Sequence, residues 1–330
     1  MTDLLLKIGE KEKLKRKKQP NWTNPMLAKL AHNVFSNKDW IFERKLDGER
    51  CLIFKKKKQV NILSRNKINL NDTYPEIITK IQKQKTKNFI IDGEVVAFKG
   101  KVTSFSELQH RMHLKNVNEI ESNTKVYYYV FDVIYYDGFD LSGMKLRARK
   151  KVLKGIFKYE DPIRFLPHRN EIGEKYFKEA CKKGWEGLIA KNADGKYIHK
   201  RSSEWLKFKC VNQQEFVIGG YTDPQGERIG FGALLLGYYK NDDLQYAGKV
   251  GTGYDDETLK DLHKKLSKIE KGDPEFIKKK DLPSKNIHWV KPKYIAEIGF
   301  TQWTKNNKLR HPRYLGLRRD KEPKEVIQEK

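Results

Sequence analysis

The sequence predicts an α+β chain in two main parts: a mixed, strand-dominated domain over residues 22–212, then a small β-barrel over residues 213–330. Three observations carry this. Runs rich in Tyr, Val, Ile and Phe recur between Gly- and Asn-containing turns, the composition of half-buried strands. A few segments instead space their apolar residues by three and four, as helices do. After Cys210 the character shifts to short strands broken by Gly, Asn-Asp and Pro. Strands and helices do not alternate one for one, which argues against a parallel α/β sheet.

In chain order, residues 1–21 form a basic arm, with Lys13, Lys15, Arg16, Lys17 and Lys18 ahead of Pro20. It reads equally as a solvated tail, the start of a helix, or an arm that contacts phosphate. "WIFERKLDGERCLIFKK" reads as a hairpin around Asp47-Gly48, with Gly48 supplying a positive φ. "NFIIDGEVVAF" (88–98) reads as two strands meeting at Asp92-Gly93. "KVYYYVFDVIYYDG" (125–138) predicts a strand and "MKLRARKKVLKGIF" (144–157) a helix. "GLIAKNADGKY" (187–197) predicts another hairpin. "EWLKFKC" (204–210) alternates as a strand, with Lys207 and Lys209 on one side and Phe208 turned to the core. Beyond it, "EFVIGGYTDPQG", "GALLLGYYKNDDLQYAGKVGTGY" and "YIAEIGFTQWT" supply short strands, and "DDETLKDLHKKLSKIE" (255–270) one helix. That set suits a barrel of the OB type.

The 330 residues carry a net charge of +26, which points to a polyanionic partner, nucleic acid before an anionic membrane surface. No apolar run approaches the length of a membrane span, and the short apolar piece at the N-terminus precedes the basic one, the wrong order for a secretory signal. Cys51, Cys181 and Cys210 lie far apart without a CxxC. The expectation is therefore neither a disulfide framework nor a zinc site, and a reducing cytosol.

Chemistry centres on Lys45. An ordinary lysine has a pKa near 10.4, so a nucleophilic amine must be freed at a cost of about 4 kcal/mol near neutral pH unless its surroundings help. Nearby cations do help, and they also gather an anionic substrate. Arg50, Arg65, Lys191, Lys207 and Lys209 are the candidates. By itself, Lys-x-Asp-Gly-x-Arg fits a charged surface hairpin as well as a nucleophile on a rigid mount. No Walker-type G-x-x-x-x-G-K-[ST] is present, so nucleotide binding has to rest on the lysine scaffold.

After Lys45 come, in order, "SRN" (64–66), "DGE" (92–94), "VFDVIYYDG" (130–138), "EGLIAK" (186–191) and "WLKFKC" (205–210). Their order and spacing resemble the covalent nucleotidyltransferases: ATP-dependent DNA ligases, RNA ligases and mRNA capping enzymes. "NPMLAKLA" (24–31), "FSELQHR" (105–111) and "WVKPKYIAEIGFTQWTKNNKLRHPRYLGLRRDK" (289–321) resemble DNA ligases. They are most similar to the ligase domain of bacterial multifunctional end-joining ligases and their stand-alone relatives. The resemblance runs from about residue 22 to residue 321.

The resemblance implies an adenylation (nucleotidyltransferase) domain of antiparallel sheets and helices, followed by an OB-fold β-barrel. It implies an enzyme that seals nicks in duplex DNA through a lysyl-AMP intermediate, in DNA repair. Lys45 would hold AMP. Glu43 would reach the adenosine, and Arg50 and Arg65 the ribose or phosphate. Phe131 would stack on adenine, though a core-packing role fits it too. Glu94 and Glu186 would bind ribose or a divalent metal, and Lys191, Lys207 and Lys209 would neutralise the α-phosphate. Arg310, Arg313 and Lys321, in a stretch that also holds Arg318 and Arg319, would orient the β- and γ-phosphates. The implied cofactors are ATP and Mg²⁺, with Mn²⁺ as a substitute. The implied partners are nicked or broken duplex DNA and DNA end-binding or repair proteins. A monomer is expected, with no membrane association, in the cytoplasm or on a nucleoid. An RNA ligase or RNA-end nucleotidyltransferase on the same scaffold stays open, as does a catalytically silent nucleic-acid-binding relative.

Overall fold

The computed structural model describes residues 14–112, 124–210, 212–277, 282–283 and 285–329. The chain divides into two compact units, the first ending at Cys210. Among the described residues the first unit holds two large sheets and a two-stranded one, Phe98–Lys99 with Val102–Thr103. A five-stranded sheet runs in the order β7-β2-β8-β9-β1, from β1 (Leu27–Leu30), β2 (Asn37–Lys45), β7 (His168–Glu171), β8 (Gly187–Asn192) and β9 (Arg201–Lys209). A seven-stranded sheet is built around β3 (Glu49–Lys56), β4 (Gln59–Ser64), β5 (Asn88–Val96) and β6 (Tyr127–Tyr136), with β5 between β3 and β6. Among the described residues four helices accompany them: α1 (Pro75–Gln82), α2 (Phe105–Met112), α3 (Leu146–Ile156) and α4 (Gly173–Lys182).

The predicted hairpin at Asp47-Gly48 does not form. β2 pairs with β7 and β8, while β3 pairs with β4 and β5. The turn carries the chain from one sheet to the other. Each strand has an apolar partner elsewhere, and two sheets packed face to face bury more than one ladder. Nor does Gly48 take a positive φ. Glycine is needed there because a Cβ would collide with Val95 O. Asp47 fixes the crossing: its Oδ2 accepts the Phe105 N–H (2.9 Å) at the start of α2, and its own N–H donates to Thr103 Oγ1 (3.1 Å).

Asp92-Gly93 is likewise no turn. β5 runs straight through it, and the register against β6 shifts between Asp92 and Gly93. Here glycine makes room for the Tyr128 ring, which a Cβ would overlap. The hairpin predicted over 187–197 is longer than expected: β8 pairs with β9, whose first residue is Arg201. The predicted strand at 125–138 and helix at 144–157 appear as β6 and α3. β6 is buried along most of its length because it is covered on both faces.

Of the basic arm, residues 1–13 lie outside the described residues. Lys15–Arg16 pairs as an edge strand with Phe139–Asp140, and Gln19 Nε2 donates to the Lys55 and Phe89 carbonyls (3.0 and 3.2 Å). This portion is neither a tail nor a helix.

The cysteine expectation is corrected as well. Cys181, near the end of α4, and Cys210, after β9, are joined in a disulfide with Cα atoms 5.2 Å apart. A separation of 29 residues hides this in the sequence. The fold brings the pair together because α4 packs Tyr176 and Ala180 on the back of β8 and β9, against Leu188, Ala190 and Phe208. Closing a loop of this length is worth about 3.6 kcal/mol. Cys210→Ser is therefore expected to lower urea stability by that amount under oxidising conditions. Dithiothreitol should reproduce the loss in the wild type and change nothing further in the variant.

The second unit is a seven-stranded sheet around the core that Phe216, Leu234, Leu236, Ala247 and Ile298 share. Its long strand β10 (Asn212–Thr222) pairs with β11 (Leu234–Lys240), β13 (Ile287–Val290) and β14 (Ile295–Phe300), and β12 (Asp243–Val250) pairs with β11. β14 also pairs with β15 (Arg313–Arg318). Among the described strands the ladder does not close into a ring. The predicted helix is α5 (Asp256–Leu266), capped by Asp255, whose side chain accepts the Thr258 N–H.

Candidate active site

Alternation along β2 puts Ile41, Glu43 and Lys45 on one face. The antiparallel register sets Gly187, Ile189 and Lys191 of β8 beside Lys45, Glu43 and Ile41 in turn. β9 extends the grid, with Lys209, Lys207 and Trp205 beside Gly187, Ile189 and Lys191. One sheet face therefore gathers Lys45, Glu43, Lys191, Lys207, Lys209 and Trp205. The opposite face carries Phe42, Leu188, Ala190 and Phe208 into the core under α4, so Phe208 faces inward as its alternation predicts.

Lys45 sits at the last position of β2 and forms an ion pair with Glu186, just before β8. Two residues back, Glu43 is buried between two ammonium groups, Lys150 of α3 and Lys191 of β8, the latter at 2.7 Å. Burial works to raise the Glu43 carboxyl, but Lys150 and Lys191 outweigh it and hold it below the usual carboxylate range. The stability this contributes is complete above the unfolded value of 4.5 and is lost as pH falls through the lower folded value. Burial pushes Lys191 down to about 8 against the raising pull of Glu43. His168, across from Glu43 on β7, falls to about 4 through burial and the nearby Lys150 charge.

A consequence is testable. Lys191 loses charge as pH rises through about 8, so affinity for an anionic ligand at this face is expected to decline above that pH. Isothermal titration should show the decline in wild type, while Lys191→Arg, which keeps its charge, should hold its affinity to higher pH.

The second sheet supplies the other wall. Arg50 of β3 lies beside Glu94 of β5 in the register, with Asp92 two residues back on the same strand. Arg50 Nε and Nη2 donate to the two Asp92 carboxylate oxygens, each at 2.5 Å. The Tyr197 hydroxyl donates to Asp92 Oδ2 (2.6 Å) and accepts the Met26 N–H (2.9 Å). Burial alone would lower the Arg50 guanidinium, but the Asp92 charge overrides it and raises it. Arg50 is thus held by a carboxylate of its own fold, and any role with phosphate or ribose starts from that geometry.

Two aromatic rings join the walls. Lys191 Nζ lies 4.2 Å from the Phe131 ring centre and 3.9 Å from that of Trp205. The Arg50 guanidinium lies 4.5 Å over Phe131 and 5.6 Å from Trp205. Beneath, the fully buried Asp132–Arg149 pair (2.8 Å) ties α3 to β6, which positions the neighbouring Lys150 at Glu43.

Lys45, Glu43, Glu186, Lys191, Lys207 and Lys209 thus share one sheet, while Arg50, Glu94 and Phe131 come from the other. Arg65 follows the end of β4. Arg310, Arg313 and Lys321 belong to the second unit. Arg310 and Arg313 are exposed, while Lys321 forms an ion pair with Glu215. Arg318 of the same stretch is held by Asp320 (2.8 Å) and Glu297 (3.5 Å). Sequence reading missed Asp92, Trp205, Tyr197 and Lys150. Asp92 stands inside "DGE" and Trp205 two residues before Lys207, so strand alternation alone places Trp205 with the lysines. Lys150 carried no signal among the other cations of its helix.

Comparison with known proteins bears on this arrangement. The model for the ATP dependent DNA ligase domain matches residues 25–209, and that for the ATP dependent DNA ligase C terminal region matches residues 227–321. The multifunctional non-homologous end joining protein LigD of Pseudomonas aeruginosa is 33% identical over 319 residues, covering 94% of this chain and 37% of that protein. A DNA ligase of Saccharolobus solfataricus is 30% identical over 342 residues, covering 92% of this chain and 55% of that protein. The chain spans 37% to 42% of the length of the end-joining relatives. Among solved structures, mycobacterial DNA ligase D complexed with ATP and MES superposes with a TM-score of 0.67 at 31% identity, covering 93% of this chain and 98% of that one.

Proposed function

The chain belongs to the ATP-dependent DNA ligases, and from that membership we propose that it seals 5′-phosphate/3′-hydroxyl nicks in duplex DNA through a covalent lysyl-AMP on Lys45. The observation that carries the reading is the shared sheet face, where Lys45 ends a strand against Glu186 with Glu43, Lys191, Lys207 and Lys209 beside it.

The Lys45 amine attacks the α-phosphorus of ATP. An N–P bond forms, the bond to pyrophosphate breaks, and the surrendered proton has Glu186 as its nearest acceptor. The 5′-phosphate of the nick then displaces Lys45 from AMP, and the amine recovers a proton as it leaves. Finally the 3′-hydroxyl oxygen bonds to that 5′-phosphorus, the phosphoanhydride bond breaks, AMP departs and the hydroxyl proton passes to solvent. Each step is in-line phosphoryl chemistry, which a protein accelerates by positioning and charge neutralisation. Lys191, Lys207 and Lys209 supply charge for the phosphate, and the buried Phe131 and Trp205 rings pack against Lys191 and Arg50. The Asp92–Arg50 clamp keeps the Phe131 side rigid.

Among the described residues no three metal-binding side chains converge. Glu94 and Glu186 are the carboxylates that would help hold a Mg²⁺ ion, which would supply charge neutralisation at the phosphoryl group. The end-joining names of the relatives support a place in break repair, with DNA end-binding proteins as partners.

The test is sealing of a singly nicked, labelled duplex with ATP and magnesium, run beside an all-RNA nick. Ligation of the DNA nick at a clear excess over RNA is expected. Preference for RNA, or no product on either, overturns the reading.

A further inference from the structure

Along β6, Tyr127 and Tyr129 continue outward from Phe131 on the same side of the strand, while Tyr128 and Val130 turn into the opposite core. Together with Phe98 they line a cleft of about 720 Å³ in the first unit, with the exposed Lys101 and Lys125 at its rim. The function argued above does not use this cleft. Its aromatic groups are only partly buried, and they are held in place by one another. Phe98 meets Tyr127 edge-on at 5.6 Å. The Arg164 guanidinium carbon lies 3.8 Å from the Tyr127 ring centre. Two bonds to Asp161 (2.6 and 2.8 Å) and one to the Tyr129 hydroxyl (3.1 Å) fix the guanidinium plane. Glu107 sits at the cleft wall and can accept a hydrogen bond from a ring N–H or amino group.

Arg44, which precedes Lys45 on β2 but turns to the opposite face of that strand, connects this wall to the first sheet. It lies 5.9 Å from the Phe98 ring and 4.6 Å from that of Trp185, the neighbour of Glu186. Its Nη2 donates to Thr103 Oγ1 (3.4 Å), the atom that also receives the Asp47 N–H.

We propose that this cleft binds an unpaired base of a single-stranded DNA extension, stacking it against Phe98, Tyr127 and Arg164 with flanking phosphates on Lys101 and Lys125. The proposal rests on the DNA ligase reading. Flat aromatic and guanidinium faces are the surfaces on which bases stack, and a base inside a duplex has no free face to offer them. Rim lysines match the phosphates on either side of such a base. Because these groups are already ordered, a base gives up little energy in arranging them.

The experiment compares duplexes bearing a short thymidine extension, the same extension made of abasic residues, and no extension, by fluorescence anisotropy. The thymidine extension is expected to bind about 5- to 100-fold tighter than the abasic one. Phe98→Ala should erase that difference, and the surface change Lys101→Glu with Lys125→Glu should weaken both extensions alike. A 5-iodouracil in the extension should crosslink to Phe98, Tyr127 or Tyr129 of the wild type, a readout that needs no variant. Equal affinity for thymidine and abasic extensions, or crosslinks only elsewhere, overturns the proposal. Lysyl-AMP formation without DNA is measured alongside. If labelling succeeds and base discrimination fails, the cleft proposal falls alone. If discrimination holds and labelling fails, the ligase reading falls and the stacking site stands.

Discussion

Lys45→Arg is expected to abolish covalent labelling by α-³²P-ATP while leaving the fold intact. The substitution keeps the positive charge and the ion pair with Glu186. What it removes is an amine that can give up a proton and present a lone pair, since a guanidinium stays protonated throughout the working range. Loss of label therefore separates a nucleophile from a structural cation, which Lys45→Ala alone does not. Label is read by denaturing electrophoresis after pyrophosphate treatment, which strips any AMP carried through purification. A labelled band in the arginine variant would place the nucleophile elsewhere. Lys45 keeps a fifth of its side chain exposed, so its melting temperature should move little.

The second large effect is one of stability. Asp92 is completely buried and takes two bonds from Arg50 and one from Tyr197. Asp92→Ala leaves the Arg50 charge and the Tyr197 hydroxyl without that partner inside the protein. Breaking one side of a buried pair in this way costs about 3–5 kcal/mol. Urea or thermal unfolding should show that loss in the first unit. Asp92→Asn, which keeps the shape and an acceptor oxygen, should lose less. ATP binding should weaken in both, because Arg50 would no longer be held against Phe131. Unchanged unfolding in Asp92→Ala would mean that the guanidinium finds another anchor.

Much of this site is legible in the chain, for a physical reason. A strand repeats every two residues, so Glu43 and Lys45, or Lys207 and Lys209, share a side before any partner strand is known. Order and spacing along the chain also picked out Glu186 and Lys191. Asp92 escaped because a carboxylate next to glycine looks like a turn until the strand is seen to run through it. The Cys181–Cys210 bridge escaped because helix packing, not spacing, brings the two residues together.

By itself, then, the sequence determined the residue types and the strand faces they share, since local geometry and composition dictate these. The tertiary structure alone decided which strands pair. It turned an apparent hairpin at Asp47-Gly48 into a crossing between two sheets, because each strand gains more buried apolar surface from its distant neighbours than from the strand across the turn. That choice puts Lys45 at the end of an inner strand facing Glu186, and Arg50 on the opposite wall with Phe131 and Trp205 between. Contacts of this kind depend on long-range pairing, whose energy is spread over many residues far apart in the chain.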